Sequence, residues 1–395
     1  MSNQRKLPIF VCAFSCEPGR GSEPGVGYSM AEALATLSLQ LRHDITLFTR
    51  PHTTDAIRRA LNESVAGHNL TIHSVKLPLW LVAATKGRGI RIAYIIWQLK
   101  AVLAISRLSR KTEGGFVVHH VTFATEALPT FESMLGKRAK IVFGPAGSSQ
   151  ALNVQSSGKL RAFMRNGVRR IIGRINMRDV VLALANNDFA AQSFRRLGST
   201  HTIVEPNIVV PSALAFEALS SRTCEADGYD FICVGQLRDL KRFGMAIDAF
   251  SNMQDRSLRM LVVGDGPLRR TLERQAEDAG VGKRIVFAGS VDRAETLSLM
   301  ASSRVLVHPS RQEGSAWAVG EAQAVCTVPV VVRGSGCEAT VRLGGFGIVT
   351  DNNVASLRQG MEEALHTQGW PSTRWDGSRL PSLLEEWYEA ALSTG

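Results

Sequence analysis

Apolar positions along the chain fall into short continuous runs separated by longer stretches of helical period. In the first half the strand-like runs are Pro8 to Phe14, Asp44 to Thr49, Leu70 to Val75, Phe116 to Val121, Lys140 to Phe143 and Val180 to Leu184. A proline-punctuated segment, Glu205 to Pro211, then interrupts the pattern, and the residues from there to Asp227 read as small, polar loop. From Tyr229 the alternation restarts. Strands are expected at Asp230 to Gly235, Leu258 to Gly264, Arg284 to Ala288, Val305 to Val307 and around Pro329 to Val332, with helices from Met245, over Leu268 to Ala279 and near Ala294 to Ala301. Apolar strands alternating with helices predict parallel sheets joined by right-handed crossovers. The expected fold class is therefore α/β with two Rossmann-like domains, residues 1–210 and 211–375, and a last amphipathic helix, Leu380 to Leu392, within 376–395.

Three stretches put chemistry at strand ends. The first is Arg304 to Val332, where a strand breaks at His308-Pro309-Ser310, gives way to an acidic, glycine-bearing loop, and continues as helix and strand. A loop leaving the carboxyl end of a parallel strand lies over the ligand crevice, and the helix behind it aims free amides there. Glu313 is expected at the helix entrance and Glu321 about two turns further in. Carboxylates so placed accept hydrogen bonds from sugar hydroxyls, and helix-start amides take phosphate oxygens; a capping Glu313 and a solvated Glu321 are the alternative. The second is Val234 to Lys241, in which a lysine just past a strand end offers a point charge to a phosphate. The third is the glycine-rich turn ending in Gly25, Val26 and Gly27, before the helical pattern that starts at Tyr28. It suits close approach to an anion. It is no dinucleotide fingerprint, because the third glycine and the acidic residue after the next strand are missing. His119 and His120 end another strand, and side-chain alternation lets one of them face the crevice; His120, nearer the strand end, is the candidate.

Glu313, seven residues, then Glu321, preceded by Pro-Ser and followed by a Pro-Val-Val strand, resembles the donor-site signature of retaining glycosyltransferases of family 4. The glycine turn near 25–27, the histidine at 120, the Phe-Gly-Pro-Ala-Gly-Ser-Ser run from Phe143, Lys241 and Val263-Gly-Asp-Gly-Pro267 resemble that family too. The resemblance implies the GT-B fold, with the two domains facing a cleft and the last helix crossing back to the first. It implies a sugar transferase that retains anomeric configuration and uses a UDP or GDP sugar as co-substrate. Glu313 would hold the donor sugar and Glu321 the ribose. Ser315, Ala316 and Trp317 would meet the donor through backbone, and Lys241, with Arg238 or Arg242, would neutralise the leaving diphosphate. No separate cofactor is implied, and with no Asp-x-Asp motif in the chain a bridging metal is not expected. Three departures stand out. Gln236 occupies the usual arginine position, Ala316 a usual glycine, and Cys326 a position where a helix-ending glycine is common.

With 395 residues, 45% apolar and 21% charged, the chain has the composition of a soluble two-domain protein. Six cysteines without metal-ligand or Cys-x-x-Cys spacing, and no visible signal peptide, are those expected of a cytoplasmic protein. Charge is unevenly placed along the chain. Residues 1–220 hold 27 Lys and Arg against 13 Asp and Glu, net +14, whereas 221–395 hold 19 against 22, net −3. An anionic partner therefore belongs to the first half. Nucleic acid is not indicated, since no aromatic-basic or groove-reading motif occurs. The stretch Trp80 to Lys111, basic, apolar and free of acidic residues, reads as one helical region able to lie on an anionic membrane, or to pack on the sheet with its charges in water. Arginines at 161, 165, 169, 170 and 174 recur at helical spacing. The expected acceptor is a saccharide linked to polyprenyl diphosphate at the inner face of the cell membrane, as in surface or exopolysaccharide assembly. The rivals are a nucleotide-sugar epimerase of the same fold and a non-catalytic saccharide-binding scaffold.

Overall fold

The computed structural model describes residues 8–19, 22–40, 44–84, 89–112, 114–148, 159–222 and 228–393. The chain forms two compact units, one of Met1–Asn207 with Arg379–Gly395, the other of Ile208–Ser378.

The first unit runs β1 (Pro8–Cys12), α1 (Ser22–Gln40), β2 (Asp44–Thr49), α2 (Pro51–Ser64), β3 (Thr71–Ser74), α3 (Leu79–Ala84), α4 (Ile90–Ser109), β4 (Phe116–His120), β5 (Ala139–Ala146), α5 (Lys159–Met177), β6 (Val180–Ala185), α6 (Asp188–Leu197) and β7 (Thr202–Val204). Its seven strands pair in the order β3-β2-β1-β4-β5-β6-β7, each pair parallel. Helices cover the sheet, which is why β1 and β4 are buried at every residue and read as continuous apolar runs. Phe10, Cys12, Phe14 and Phe48 pack against Tyr94, Trp97, Ala101 and Ile105 of α4.

The second unit follows with α7 (Ser212–Ser220), β8 (Tyr229–Val234), α8 (Phe243–Ser251), β9 (Met260–Val263), α9 (Arg269–Asp278), β10 (Ile285–Gly289), α10 (Arg293–Ala301), β11 (Ser303–His308), α11 (Trp317–Ala324), β12 (Val328–Val332), α12 (Glu338–Gly344), β13 (Ile348–Thr350) and α13 (Val354–Ala364). Six parallel strands pair in the order β10-β9-β8-β11-β12-β13. Alternate strand residues feed two apolar layers: Phe231, Val305 and Val330 face one, Ile232, Leu306 and Val331 the other.

The chain then returns to the first unit as α14 (Leu380–Ser393). His119 fixes it. Its Nε2–H donates to the Gly144 carbonyl at 2.8 Å, so Nδ1 accepts from the Tyr388 hydroxyl at 3.0 Å, and Trp387 lies edge-on to the ring. Burial pushes the imidazole down to about 4, which keeps it neutral in this role.

Several local expectations change. Residues 212–220 form the helix α7 rather than a loop, because Leu214, Ala215 and Leu219 pack on the second unit's core. The stretch from Trp80 to Lys111 is two helices, with Lys86 and Arg88 outside the described residues. α4 is long and apolar enough to cross a membrane by length and composition, yet Tyr94, Trp97, Ala101 and Ile105 place one face in the core, so it is a sheet-covering helix. The three-residue strands β7 and β13 carry too little pattern to be seen in sequence.

Cys326 follows α11 with φ +67°, the left-handed region that glycine enters without cost. A Cβ there costs about 1–2 kcal/mol, offset in part by the roughly 0.5–1 kcal/mol of extra chain entropy a glycine loses on folding. Cys326→Gly is therefore expected to leave the urea unfolding midpoint unchanged or raise it, and Cys326→Val to lower stability by about 1 kcal/mol or more. A glycine variant less stable than the parent by that amount contradicts the assignment.

Candidate functional site

In an open parallel sheet the loops at the carboxyl ends part where the strand order switches direction. In the second unit that point lies between β8 and β11. The loop after β8 is shaped by backbone packing. A Cβ on Gly264 would lie 2.0 Å from the Gly235 carbonyl oxygen, and one on Gly266 would lie 2.6 Å from that of Leu237, so only glycine lets the Val263-to-Pro267 turn seat there. Leu237 is driven into the core, Gln236 and Arg238 are turned out to solvent, and the chain tightens into a 3-10 turn at Asp239–Lys241. The Lys241 stem then lies back over Gly235.

The loop after β11 is tied to this one. Arg311 N–H and the Ser310 hydroxyl both donate to the Leu240 carbonyl, at 2.8 and 3.1 Å, and Glu313 N–H donates to the Ser335 carbonyl at 2.7 Å. Lys241 Nζ consequently donates to Glu313 Oε1 at 2.6 Å, and His308 Nε2 donates to the same oxygen at 3.0 Å. Burial alone would raise the Glu313 carboxyl, but the His308 hydrogen bond and the Lys241 charge outweigh it and hold the group at about 2. Burial, then the Lys241 charge, holds His308 below its ordinary value against the pull of Glu313. A neutral His308 that donates from Nε2 keeps a lone pair on Nδ1. That atom and Ser315 Oγ are buried without hydrogen-bond partners among the described residues.

Glu313 lies in the loop, four residues ahead of α11, instead of at the helix entrance. Glu321 sits inside the helix, 8% exposed, and pairs with Arg293 Nε at 3.0 Å. The guanidinium also donates to the Val209 carbonyl at 2.7 Å and lies over the Trp317 ring, 5.0 Å from its centroid. Burial raises the Glu321 carboxyl and Arg293 pulls it back. Ala316 has a negative φ and is buried, so no glycine is needed there. Arg242 donates to Asn352 and contacts Met245 Sδ, while the exposed Arg238 side chain has no hydrogen-bond or ion-pair partner among the described residues. Lys241 and Glu313 thus meet; Glu321 belongs to a neighbouring ion pair.

The corresponding switch point of the first unit, between β1 and β4, is filled. Gly25, Val26 and Gly27 lie within α1, which starts at Ser22, and not in a loop. Gly27 is explained by packing, since a Cβ would stand 2.0 Å from the Ser15 carbonyl oxygen. His120 does not face a crevice: it is 1% exposed, with Nε2 on the Tyr94 hydroxyl at 2.7 Å and Nδ1 on Glu132 Oε1 at 2.6 Å. Helices on both faces of the sheet bury both neighbours of the pleat, so alternation does not expose either histidine. Glu23 accepts from the amide of Phe123, a residue held at φ +57°.

Nothing in the sequence pattern marks Arg293, Tyr94 or Glu132 as partners of these groups. For His308 the sequence offers one signal, its place at a strand end.

Residues 220–376 match the family described as glycosyl transferases group 1. A GDP-mannose-dependent alpha-(1-6)-phosphatidylinositol monomannoside mannosyltransferase of Mycolicibacterium smegmatis is 29% identical over 185 residues, which are 40% of this chain and 48% of that one. A 2-deoxystreptamine glucosyltransferase of Streptomyces kanamyceticus is 30% identical over 33% of this chain and 35% of its own length. The chain thus spans half or less of these curated relatives. Among solved structures, Anabaena HepE in complex with UDP superposes with a TM-score of 0.62 at 15% identity, over 97% of this chain and 100% of that one. The lipopolysaccharide outer core galactosyltransferase WaaB, in its apo form, gives 0.61 at 11% over 98% of both. At such identities these likenesses show the fold, and it is GT-B.

The Glu313 carboxyl titrates at about 2 in the folded chain and near 4.3 when unfolded. Its folded value is depressed, so its contribution is full above about pH 5 and is lost as pH falls towards 2. The stability difference between the parent and Glu313→Gln, on the order of 3 kcal/mol at neutral pH, is therefore expected to shrink between pH 5 and pH 3 in urea unfolding. A difference that stays constant over that range contradicts the pairing.

Proposed function

We propose that this chain transfers a sugar from a nucleoside-diphosphate donor to a hydroxyl acceptor with retained anomeric configuration, as a glycosyltransferase of family 4. The single observation that carries the reading is the meeting of Lys241 and Glu313 at the switch point of the unit that matches glycosyl transferases group 1. An ammonium and a carboxylate there suit opposite ends of one ligand. Lys241 takes the diphosphate, which displaces Glu313 as its partner, and Glu313 is released to accept hydrogen bonds from the sugar's hydroxyls. The exposed Arg238 is the second cation, because Arg242 is engaged by Asn352. Glu321, held by Arg293, accepts from the ribose, and the backbone of Ser315, Ala316 and Trp317 faces the donor.

In the transfer the bond from anomeric carbon to diphosphate oxygen breaks, the acceptor oxygen bonds the same face, and its proton passes to the departing phosphate. The negative charge that develops on the diphosphate is met by Lys241, Arg238 and amides, with no metal in the scheme. His120 takes no direct part, since both its nitrogens are occupied. The base is uracil or guanine, in line with the UDP complex of HepE and the GDP-mannose dependence in the mannosyltransferase's name. The acceptor is a lipid-linked saccharide at the cytoplasmic face of the membrane, a reading supported by the +14 charge of the first half.

The test is a panel of UDP and GDP sugars assayed for slow donor hydrolysis. One donor is expected to be consumed, and Lys241→Ala and Glu313→Gln, with unchanged circular dichroism, to lower turnover by about 10²-fold or more. Near-parental turnover in both variants removes their roles; conversion of donor to an isomeric nucleotide sugar makes the chain an epimerase.

A further inference from the structure

We propose that the solvent face of α5 is a docking surface for an anionic lipid bilayer. The helix spans Lys159–Met177 and contains six Lys and Arg with no Asp or Glu. One side is fixed to the first unit. A Cβ on Gly173 would stand 2.8 Å from the Leu197 side chain, so the helix axis lies close against α6. The Asn176 amide donates to the Leu128 carbonyl at 2.7 Å and its oxygen accepts from Thr130 N–H at 3.1 Å, and Met177 is fully buried.

With that side fixed, the opposite one cannot turn inward. It carries Val168, Ile171 and Ile175, exposed by 57, 62 and 57%. At roughly 100° per residue these three fall within about 60° of one another; on the Ile171 side Arg174 follows about 60° further round and Arg170 about 100°, both exposed. Three large aliphatic side chains in one stripe, kept in water at a helix turn that could have been polar, mark a surface with a partner.

The charge identifies that partner. A protein surface or a second copy of this chain would have to bring acidic groups or leave the arginines facing one another; an anionic headgroup layer supplies phosphates to the guanidinium forks and an apolar interior to the isoleucines. The expected membrane stretch, Trp80 to Lys111, is a poorer fit because its central residues Tyr94 and Trp97 are in the core. The surface adds to the proposed function a place where a lipid-linked acceptor is met, but it stands on α5 alone.

Vesicle binding of the full chain, read by co-sedimentation at low salt without any nucleotide sugar, tests it. Vesicles of phosphatidylglycerol mixed with phosphatidylcholine are expected to bind the protein, and phosphatidylcholine alone to bind it at least tenfold more weakly. The double variants Ile171→Ser with Ile175→Ser, and Arg170→Glu with Arg174→Glu, are expected to lose at least tenfold, with unchanged melting curves, while Trp80→Ser binds as the parent does. Parental binding in both double variants, equal binding to neutral vesicles, no binding at all, or light scattering that shows a dimer dissolved by the isoleucine changes would each overturn the proposal. Donor hydrolysis measured on the same preparations keeps its failure separate from failure of the transfer reading.

Discussion

A carboxylate that is mostly removed from water must be compensated, and at Glu313 the Lys241 ammonium and the His308 imidazole meet on one oxygen. His308 stands five residues before it, but Lys241 is remote in sequence: Lys241 follows β8, and Glu313 follows β11. What joins them is the strand order, which makes β8 and β11 neighbours, and the glycine-on-glycine seating of the Gly235 and Gly264 loops, which sets the height at which the lysine returns. The same pairing is what the proposed function uses. In the transfer proposed above, a diphosphate takes the ammonium in place of the carboxylate, and Glu313 then accepts from the sugar's hydroxyls.

The two units share a strand plan and put it to different ends. At the switch point of the first, Phe14, Tyr94 and Phe123 pack ring to ring, and the His120–Glu132 pair closes beneath them. Burial would raise the Glu132 carboxyl, but the imidazole beside it holds it down, so the pair persists as a bonded unit in the interior. At the second, the groups are partly accessible, with Lys241 at 23% and Glu313 at 12% exposure of their side chains. Chemistry that needs a charged ligand fits the second arrangement and not the first.

Strand runs with continuous Val, Ile and Leu were legible because both faces of each sheet are covered, and the restart at Tyr229 marked the second unit for the same reason. The helix α7 is not legible in the pattern, because Ser212 to Ser220 is small and polar in part and its burial depends on packing that no local pattern encodes. At the site, Lys241 and Glu313 could be read from their places past strand ends. His308 and Arg293 could not, since a histidine closing an apolar run and an arginine opening a helix look the same whether or not a carboxylate awaits them. His120 shows the converse: proximity to a strand end gave a candidate, and coverage of the sheet by α4 withdrew it. Cys326 keeps a left-handed backbone without glycine, so the position's conformation outlasts the residue that usually supplies it.

In the proposed reaction Lys241 exchanges a carboxylate for a nucleotide's diphosphate. Calorimetric titration of the parent chain and of Lys241→Met with UDP and with GDP reads that exchange without needing the sugar or the acceptor. One of the two nucleotides is expected to bind the parent, and the methionine variant to bind it at least tenfold more weakly. Undiminished binding by Lys241→Met, or no binding of either nucleotide to the parent, contradicts it.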